Sequence, residues 1–183
     1  MKILEKKFYQ RPTLDVARNL LGCMIVRKIG KKEMRAIITD VEAYIGEDDL
    51  ACHASKGRTK RSEVLYGEAG HAYVYLIYGM YHIMNVVTEE KDFPAAVMIR
   101  AVKMEGTDYV RTNGPGKVCR ALQIGKELHG WDMTKGERLW IEKRTASISA
   151  EDIVADRRVG IDYAKHCKEY PWRFALKKHP KKK

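Results

Sequence analysis

No stretch of this chain approaches the ~18 consecutive apolar residues that a membrane-spanning helix needs. The N-terminus, MKILEKKFYQRP, has no apolar signal-peptide core. A cytoplasmic protein is expected. The four cysteines (Cys23, Cys52, Cys119, Cys167) never form a CxxC pair, which disfavours a zinc ribbon or finger. Without a secretion signal their even number does not argue for disulfides, and small buried thiols are expected. HExxH and EF-hand spacings are missing, as are internal repeats and interdomain linkers. Only the Lys-rich end, 177–183, is low in complexity.

What is present is an ordinary globular composition, 45% hydrophobic and 32% charged over 183 residues, enough for one domain with a sizeable core. Disorder, collagen and mucin-like stalks are excluded for the bulk of the chain. The charge balance is not ordinary. Lys+Arg is 35 against 24 for Asp+Glu, a net +11. Such an excess favours polyanionic partners, nucleic acid first, although a solubility device with a basic tail reads the same way.

Pro12-Thr13 before LDVARNLL predicts a capped helix with Leu14, Ala17 and Leu21 on one face and Gly22 as its stop. Strands are expected at 23–29, 34–45, 72–78, 81–88, 95–104, 138–143 and 172–176, with a helix over 117–123 opened by Asn113-Gly-Pro-Gly116. Residues 46–71 read as a long polar loop with one helical turn; loops longer than about 12–15 residues in compact domains are usually functional. The expected fold is α+β: a single mixed domain, 1–176, around a curved antiparallel sheet with a protruding hairpin and few helices, then a mobile basic tail over 177–183.

Within VEAYIG, period two puts Asp40, Glu42 and Tyr44 on one face and Val41, Ala43 and Ile45 on the other. A carboxylate beside an aromatic ring suits a general base. An edge strand with a solvated polar face shows the same alternation. Glu47, Asp48 and Asp49 read as solvated loop acids, and His53 either contacts a ligand or caps the loop. Lys56, Arg58, Lys60 and Arg61 form a basic cluster suited to phosphates.

HAYVYLIYGMYHIMN concentrates four of the ten tyrosines, Tyr73, Tyr75, Tyr78 and Tyr81, in nine residues. Cores rarely hold so many hydroxyls, since each buried one needs a partner. Stacking platforms and duplex-unstacking wedges do use such residues beside positive charge; tyrosine is also simply a good strand former. Period two turns Tyr73 and Tyr75 one way and Tyr78 the other. Arg100 is a lone charge on a strand face with Ala96, Met98 and Val102, and either pairs with a neighbouring carboxylate such as Glu42 or reaches solvent.

In this order and spacing, VEAYIGEDDLACHASKGRT, GHAYVYLIYGMYHIMNVV, AVMIRAV and NGPGKVCRALQI resemble the alkyladenine (3-methyladenine) DNA glycosylases, from about residue 3 to 176. The resemblance implies a monofunctional base-excision repair enzyme. Such an enzyme flips an alkylated or deaminated purine (3-methyladenine, 7-methylguanine, hypoxanthine) from duplex DNA and hydrolyses its N-glycosidic bond with no metal or cofactor. It implies Glu42 as water-activating base, with Arg100 and the main-chain carbonyl of Val159 near that water. It places Tyr44 and Tyr75 as stacking walls, His53 and Asn85 in the base pocket, Tyr78 as the intercalating residue, and Lys56, Arg58, Lys60 and Arg61 on the DNA backbone. The partner would be double-stranded DNA bearing damaged purines, met by a monomer in the cytoplasm, at the nucleoid of a prokaryote or in a eukaryotic nucleus. The chain departs from the family pattern at Ser62-Glu63, where many relatives carry Arg-Asn, and in the short segment 103–113. Two rivals remain: a non-catalytic nucleic-acid-binding module, and a metal-dependent nuclease built on Asp40, Glu42, Asp48 and Asp49.

Overall fold

Alternating apolar residues produce strands, and the longest alternation produces the longest strand. In a computed structural model that describes residues 2–177, β1 (Met24–Ile29) turns at Gly30 into the 14-residue β2 (Lys32–Ile45). There follow β3 (Ala72–Ile77), β4 (Tyr81–Val87), β5 (Ala95–Lys103), β6 (Leu139–Glu142), β7 (Ile153–Asp156) and β8 (Arg173–Leu176). The result is one open antiparallel sheet in the order β3-β4-β5-β2-β1-β6. β8 also pairs with β2, and β7 pairs with β8. Helices are few and short: α1 (Lys6–Tyr9), α2 (Thr13–Leu20) and α3 (Pro115–Ala121). The α+β single domain expected from the sequence is what forms. The tail expected over 177–183 lies outside the described residues beyond Lys177.

The register of β2 decides where the chemistry sits. Met34, Ala36 and Ile38 face the main core, and so do Val41 and Ala43. The parity switches because the β2–β5 ladder slips at Ile38/Asp40 and again at Asp40/Val41. These are β-bulges, one extra residue on each strand in turn. Thr39 is the extra residue on β2 and Arg100 the extra residue on β5. Val97 and Ile99 face the core before the slip and Val102 after it. The expectation that Val102 shares a face with Arg100 is therefore wrong, because the bulge at Arg100 breaks the period of two.

β2 is not an edge strand. β5 pairs along one side of it, and β1 and then β8 along the other. Its polar face is buried, so the solvated-edge reading of Asp40 and Glu42 fails.

Other differences are local. The Thr13 hydroxyl does not cap α2; it bonds to Thr88 and Glu89, tying the helix start to the end of β4. Val16, Ala17 and Leu20 form the buried face of α2. α3 starts two residues earlier than expected because Pro115 takes the first helical position. The loop 46–71 holds two 3-10 turns, His53–Lys56 and Glu63–Tyr66, not one. Short α1 and β7 gave no legible period. All four cysteines are free and buried. Among the described residues, no helix is long and apolar enough to cross a membrane.

Candidate active site

The face of the sheet opposite the main core carries a row of side chains in register. Tyr73 on β3 pairs with Asn85 on β4, Asn85 with Met98 on β5, Met98 with Glu42 on β2, and Glu42 with Arg173 on β8. In the next row Val87, Ala96 and Tyr44 stand side by side. Strand spacing puts Glu42 and Asn85 about 10 Å apart across two ladders. The small Ala96 between larger neighbours leaves a recess above it.

Glu42 is 0% exposed. Its carboxylate accepts hydrogen bonds from the Tyr44 hydroxyl at 2.8 Å and the Val159 N–H at 3.0 Å. Arg100 Nη1 lies 3.4 Å away, so the lone strand arginine has its carboxylate partner. Val159, expected to hold the nucleophilic water through its main-chain carbonyl, thus stands directly beside Glu42. Burial pushes the Glu42 pKa up. Arg100, the Tyr44 hydroxyl and the Val159 amide pull it back, and Asp40 adds to the rise. Val159 itself is 47% exposed, so the buried carboxylate sits one residue beneath the surface.

Asp40 is held by Arg173 at 2.6 Å and lies 3.8 Å from Arg100. Arg100 Nε is buried without a hydrogen-bond partner among the described residues; it faces Asp40 at 3.8 Å, while Nη1 of the same guanidinium faces Glu42.

Tyr44, His53, Tyr73, Tyr75, Asn85 and Ala96 line a cavity of about 20 Å³. That is room for little more than one water. Tyr44 and Tyr75, expected as stacking walls, both border this cavity, and it is closed to a purine. The physical reason is aromatic packing. The Tyr75 ring lies 4.6 Å from His53 and 5.2 Å from Tyr73, and an apolar gap would forfeit those contacts. His53 does not cap the loop; its Nδ1 bonds the Tyr73 hydroxyl at 2.7 Å. Burial, with Arg61 and Lys56 nearby, lowers the His53 pKa to about 4, so the ring is neutral at pH 7. Asn85 Nδ2 donates to the Tyr73 carbonyl at 3.1 Å.

Tyr78 is 83% exposed and lies in the turn, not on the strand. Its direction is set by φ values of +51° at Tyr78 and +66° at Gly79, not by period two. Left-handed backbone is costly for a side chain as large as tyrosine, and such strain persists only where the surroundings impose it.

The basic cluster splits. Arg58 is bound to Glu63 at 2.8 Å and Asp92 at 3.1 Å, so its guanidinium is committed to carboxylates. Lys56, Lys60 and Arg61 are exposed. Ser62, at the departure from the family pattern, is a buried loop organiser, bonding Gly57 O and the Thr59 amide.

Several residues escaped sequence reading. Asp49, taken for a solvated acid, is buried and receives two bonds from Arg158, at 2.5 and 2.8 Å. Arg158 also packs over the Tyr44 ring at 4.8 Å and bonds the Ala43 carbonyl. Tyr73 orients His53. No local pattern marks either pair, since the partners are 109 and 20 residues apart. The acids of the nuclease rival do not converge. Asp40 goes to Arg173, Asp49 to Arg158 and Glu42 to Tyr44 and Arg100. Among the described residues no group of three or more His, Cys, Asp or Glu is placed to hold a metal.

A buried carboxylate on an interior strand, aromatic walls beside it and an exposed tyrosine on a hairpin tip accompany clear sequence likenesses. A protein of Methanocella arvoryzae is 45% identical over 98% of this chain and 95% of its own length. One from Alkaliphilus oremlandii is 42% identical over 97% and 96%, and one from an Anaeromyxobacter species 48% identical over 94% and 88%. All three carry the name "Putative 3-methyladenine DNA glycosylase". The class is thus that of the DNA glycosylases, hydrolases of base-excision repair. Within it, the sequence pattern of the family described as methylpurine-DNA glycosylase matches residues 7–180, and the chain belongs to that family.

Proposed function

We propose that this enzyme removes alkylated and deaminated purines, of the 3-methyladenine, 7-methylguanine and hypoxanthine class, from double-stranded DNA with a Glu42-activated water. Glu42 carries the reading: a buried carboxylate with a raised pKa, beside an aromatic slot and 3.4 Å from the Arg100 guanidinium.

A base inside a duplex must be extruded before it can be cut out, at a few kcal/mol of lost stacking and pairing. Tyr78 fills the space left behind and offsets part of that cost. The slot opens as Tyr75 and His53 part, and the purine stacks between Tyr44 and Tyr75. A cationic methylpurine stacks especially well on electron-rich rings. The Asn85 amide, fixed by the Tyr73 carbonyl, obstructs the 2-amino group of normal guanine.

Glu42 takes a proton from a water that Arg100 helps to hold. The water oxygen bonds to C1′ of the sugar, the C1′–N bond breaks, and its electron pair leaves with the base. The carboxylate also stabilises positive charge developing on the sugar. A cationic base leaves as a neutral molecule; no lysine is assigned as a nucleophile, and the enzyme is monofunctional. Lys56, Lys60 and Arg61 contact phosphates, with Arg58 joining them only on release from Glu63 and Asp92. The active unit is a monomer over 1–176.

The test is incubation with methylated duplex DNA in the presence of EDTA. Free methylpurine and alkali-labile abasic sites are expected. Binding without release would favour the non-catalytic module.

A further inference from the structure

The basic loop and the aromatic slot meet at one residue. Arg61 lies with its guanidinium carbon 5.3 Å from the Tyr75 ring centroid, over the wall of the closed slot. Arg61 also lines a second, larger cavity of about 230 Å³, together with His53, Lys56 and Tyr163. The two cavities share Ala51, Cys52 and His53 as a common wall. Tyr75 borders only the smaller cavity and Arg61 only the larger one, and the guanidinium lies against the ring where the two meet.

We propose that Arg61 is the specificity gate of the base slot. Its guanidinium covers Tyr75 until a DNA phosphate draws it away, so that a purine enters only from engaged DNA. The inference rests on the glycosylase reading above and names how that site rejects purines not borne by DNA.

Three features support it. First, among the described residues Arg61 is held by no carboxylate, only by the Tyr75 ring and the Tyr73 hydroxyl. Arg58, three residues earlier, is held by Glu63 and Asp92, whereas no carboxylate among the described residues pairs with Arg61. Second, the exchange is favourable. An arginine held by one ring face and one neutral hydroxyl is more weakly bound than by a phosphate, to which its planar fork makes short, charge-assisted, bidentate bonds. Third, Arg61 also meets the Tyr73 hydroxyl, so one side chain covers two of the aromatic residues that close the slot, and its transfer to a phosphate uncovers both.

The experiment is calorimetric titration of free 3-methyladenine into the wild-type protein, R61A and R61K, alongside excision from methylated duplex. R61A is expected to bind the free base at least tenfold more tightly than wild type while excising more slowly, having lost a phosphate contact. R61K keeps a cation for the phosphate but loses the planar fork that covers the ring. It is expected to bind free base more tightly than wild type, with a duplex affinity between those of wild type and R61A. A residue that only contacts phosphate would change duplex binding and leave free-base affinity untouched, so free-base affinities equal to wild type in both variants would overturn the gate. Arg61 is exposed, and R61K provides a second, milder variant should R61A fold poorly. Excision by the wild type reports separately on the glycosylase reading: its absence would remove that reading, while the titration still decides the gate.

Discussion

Arg158 and Asp49 form a bidentate pair, 2.5 and 2.8 Å, with both side chains out of solvent. The pair stands behind the candidate site. Asp49 also accepts from the amides of Ile45 and Ala51, fixing the end of β2 to the loop that carries His53. Arg158 bonds the carbonyls of Ala43 and Cys167 and packs on Tyr44 and Trp172. Because Arg158 is pinned, the next residue, Val159, brings its N–H to Glu42.

Removing one partner leaves an uncompensated buried charge. Asp49→Ala is expected to destabilise the fold by about 3–5 kcal/mol, read as a lowered urea midpoint. Asp49→Asn, which still accepts hydrogen bonds, is expected to cost less. A loss under ~1 kcal/mol for the alanine variant would show that the pair does not organise the site.

Glu42→Gln keeps the shape of the side chain and removes its basicity. Excision of 3-methyladenine is expected to fall by about 10²–10⁴-fold, the range of a positioned general base, while binding to lesion-bearing duplex stays within a few-fold. Single-turnover release of free base measures the first, and fluorescence anisotropy with labelled duplex the second. Wild-type release by the variant would exclude Glu42 as the base.

The raised pKa of Glu42 fixes a pH dependence. Burial is the largest cause, so the working carboxylate is reached only above the ordinary glutamate range. The excision rate is expected to drop tenfold per pH unit below that pKa, with its acid limb at higher pH than an exposed glutamate would give. Tyr44→Phe removes a hydrogen bond that favours the charged form and is expected to move the limb further up. The sign for stability is the opposite of the usual carboxylate case. The folded state holds the Glu42 proton to higher pH than the unfolded chain, so this group's contribution is lost as pH rises through its folded pKa. A limb in the normal carboxylate range would contradict the buried, desolvated setting.

Much of this site was legible in sequence because it lies on strands. Period two within residues 40–45 puts Glu42 and Tyr44 together, and they bond directly. The same rule failed where the backbone leaves regular geometry. Two offset bulges turned Val102 back toward the core, and the left-handed turn at the hairpin tip took Tyr78 out of the strand altogether. Long-range polar pairs were illegible for a different reason. Asp49 looks like any loop acid until Arg158 arrives from 109 residues away. The closed slot was illegible as well, since ring-on-ring packing among His53, Tyr73 and Tyr75 has no signature in spacing.

His53 gives a second pH effect with the ordinary sign for a buried neutral histidine. Its folded pKa is lowered to about 4 from 6.5, chiefly by burial, so the unfolded chain binds the proton more readily. Its contribution to stability is complete above pH 6.5 and is lost as pH falls toward 4. His53→Gln is expected to flatten the stability profile over that window when urea midpoints are compared at pH 4.5 and 7. An unchanged slope would mean that the imidazole is not held neutral.

Tyr78 separates stability from function. At φ +51° a tyrosine side chain crowds the backbone, whereas glycine takes that conformation freely. Tyr78→Gly relieves the strain and loses no packing, because the ring is exposed. The gain is offset in part by the larger freedom of glycine in the unfolded chain, so an increase of up to about 1 kcal/mol is expected. If the ring enters the duplex in place of the extruded nucleotide, the same variant must discriminate less between lesion-bearing and undamaged DNA. A competition binding assay on the two duplexes measures this, and Tyr78→Phe, which keeps the wedge, is expected to retain discrimination. Greater stability together with unchanged discrimination would mean that the strained turn serves something other than intercalation, since a costly backbone would then be kept for a side chain that the DNA does not use.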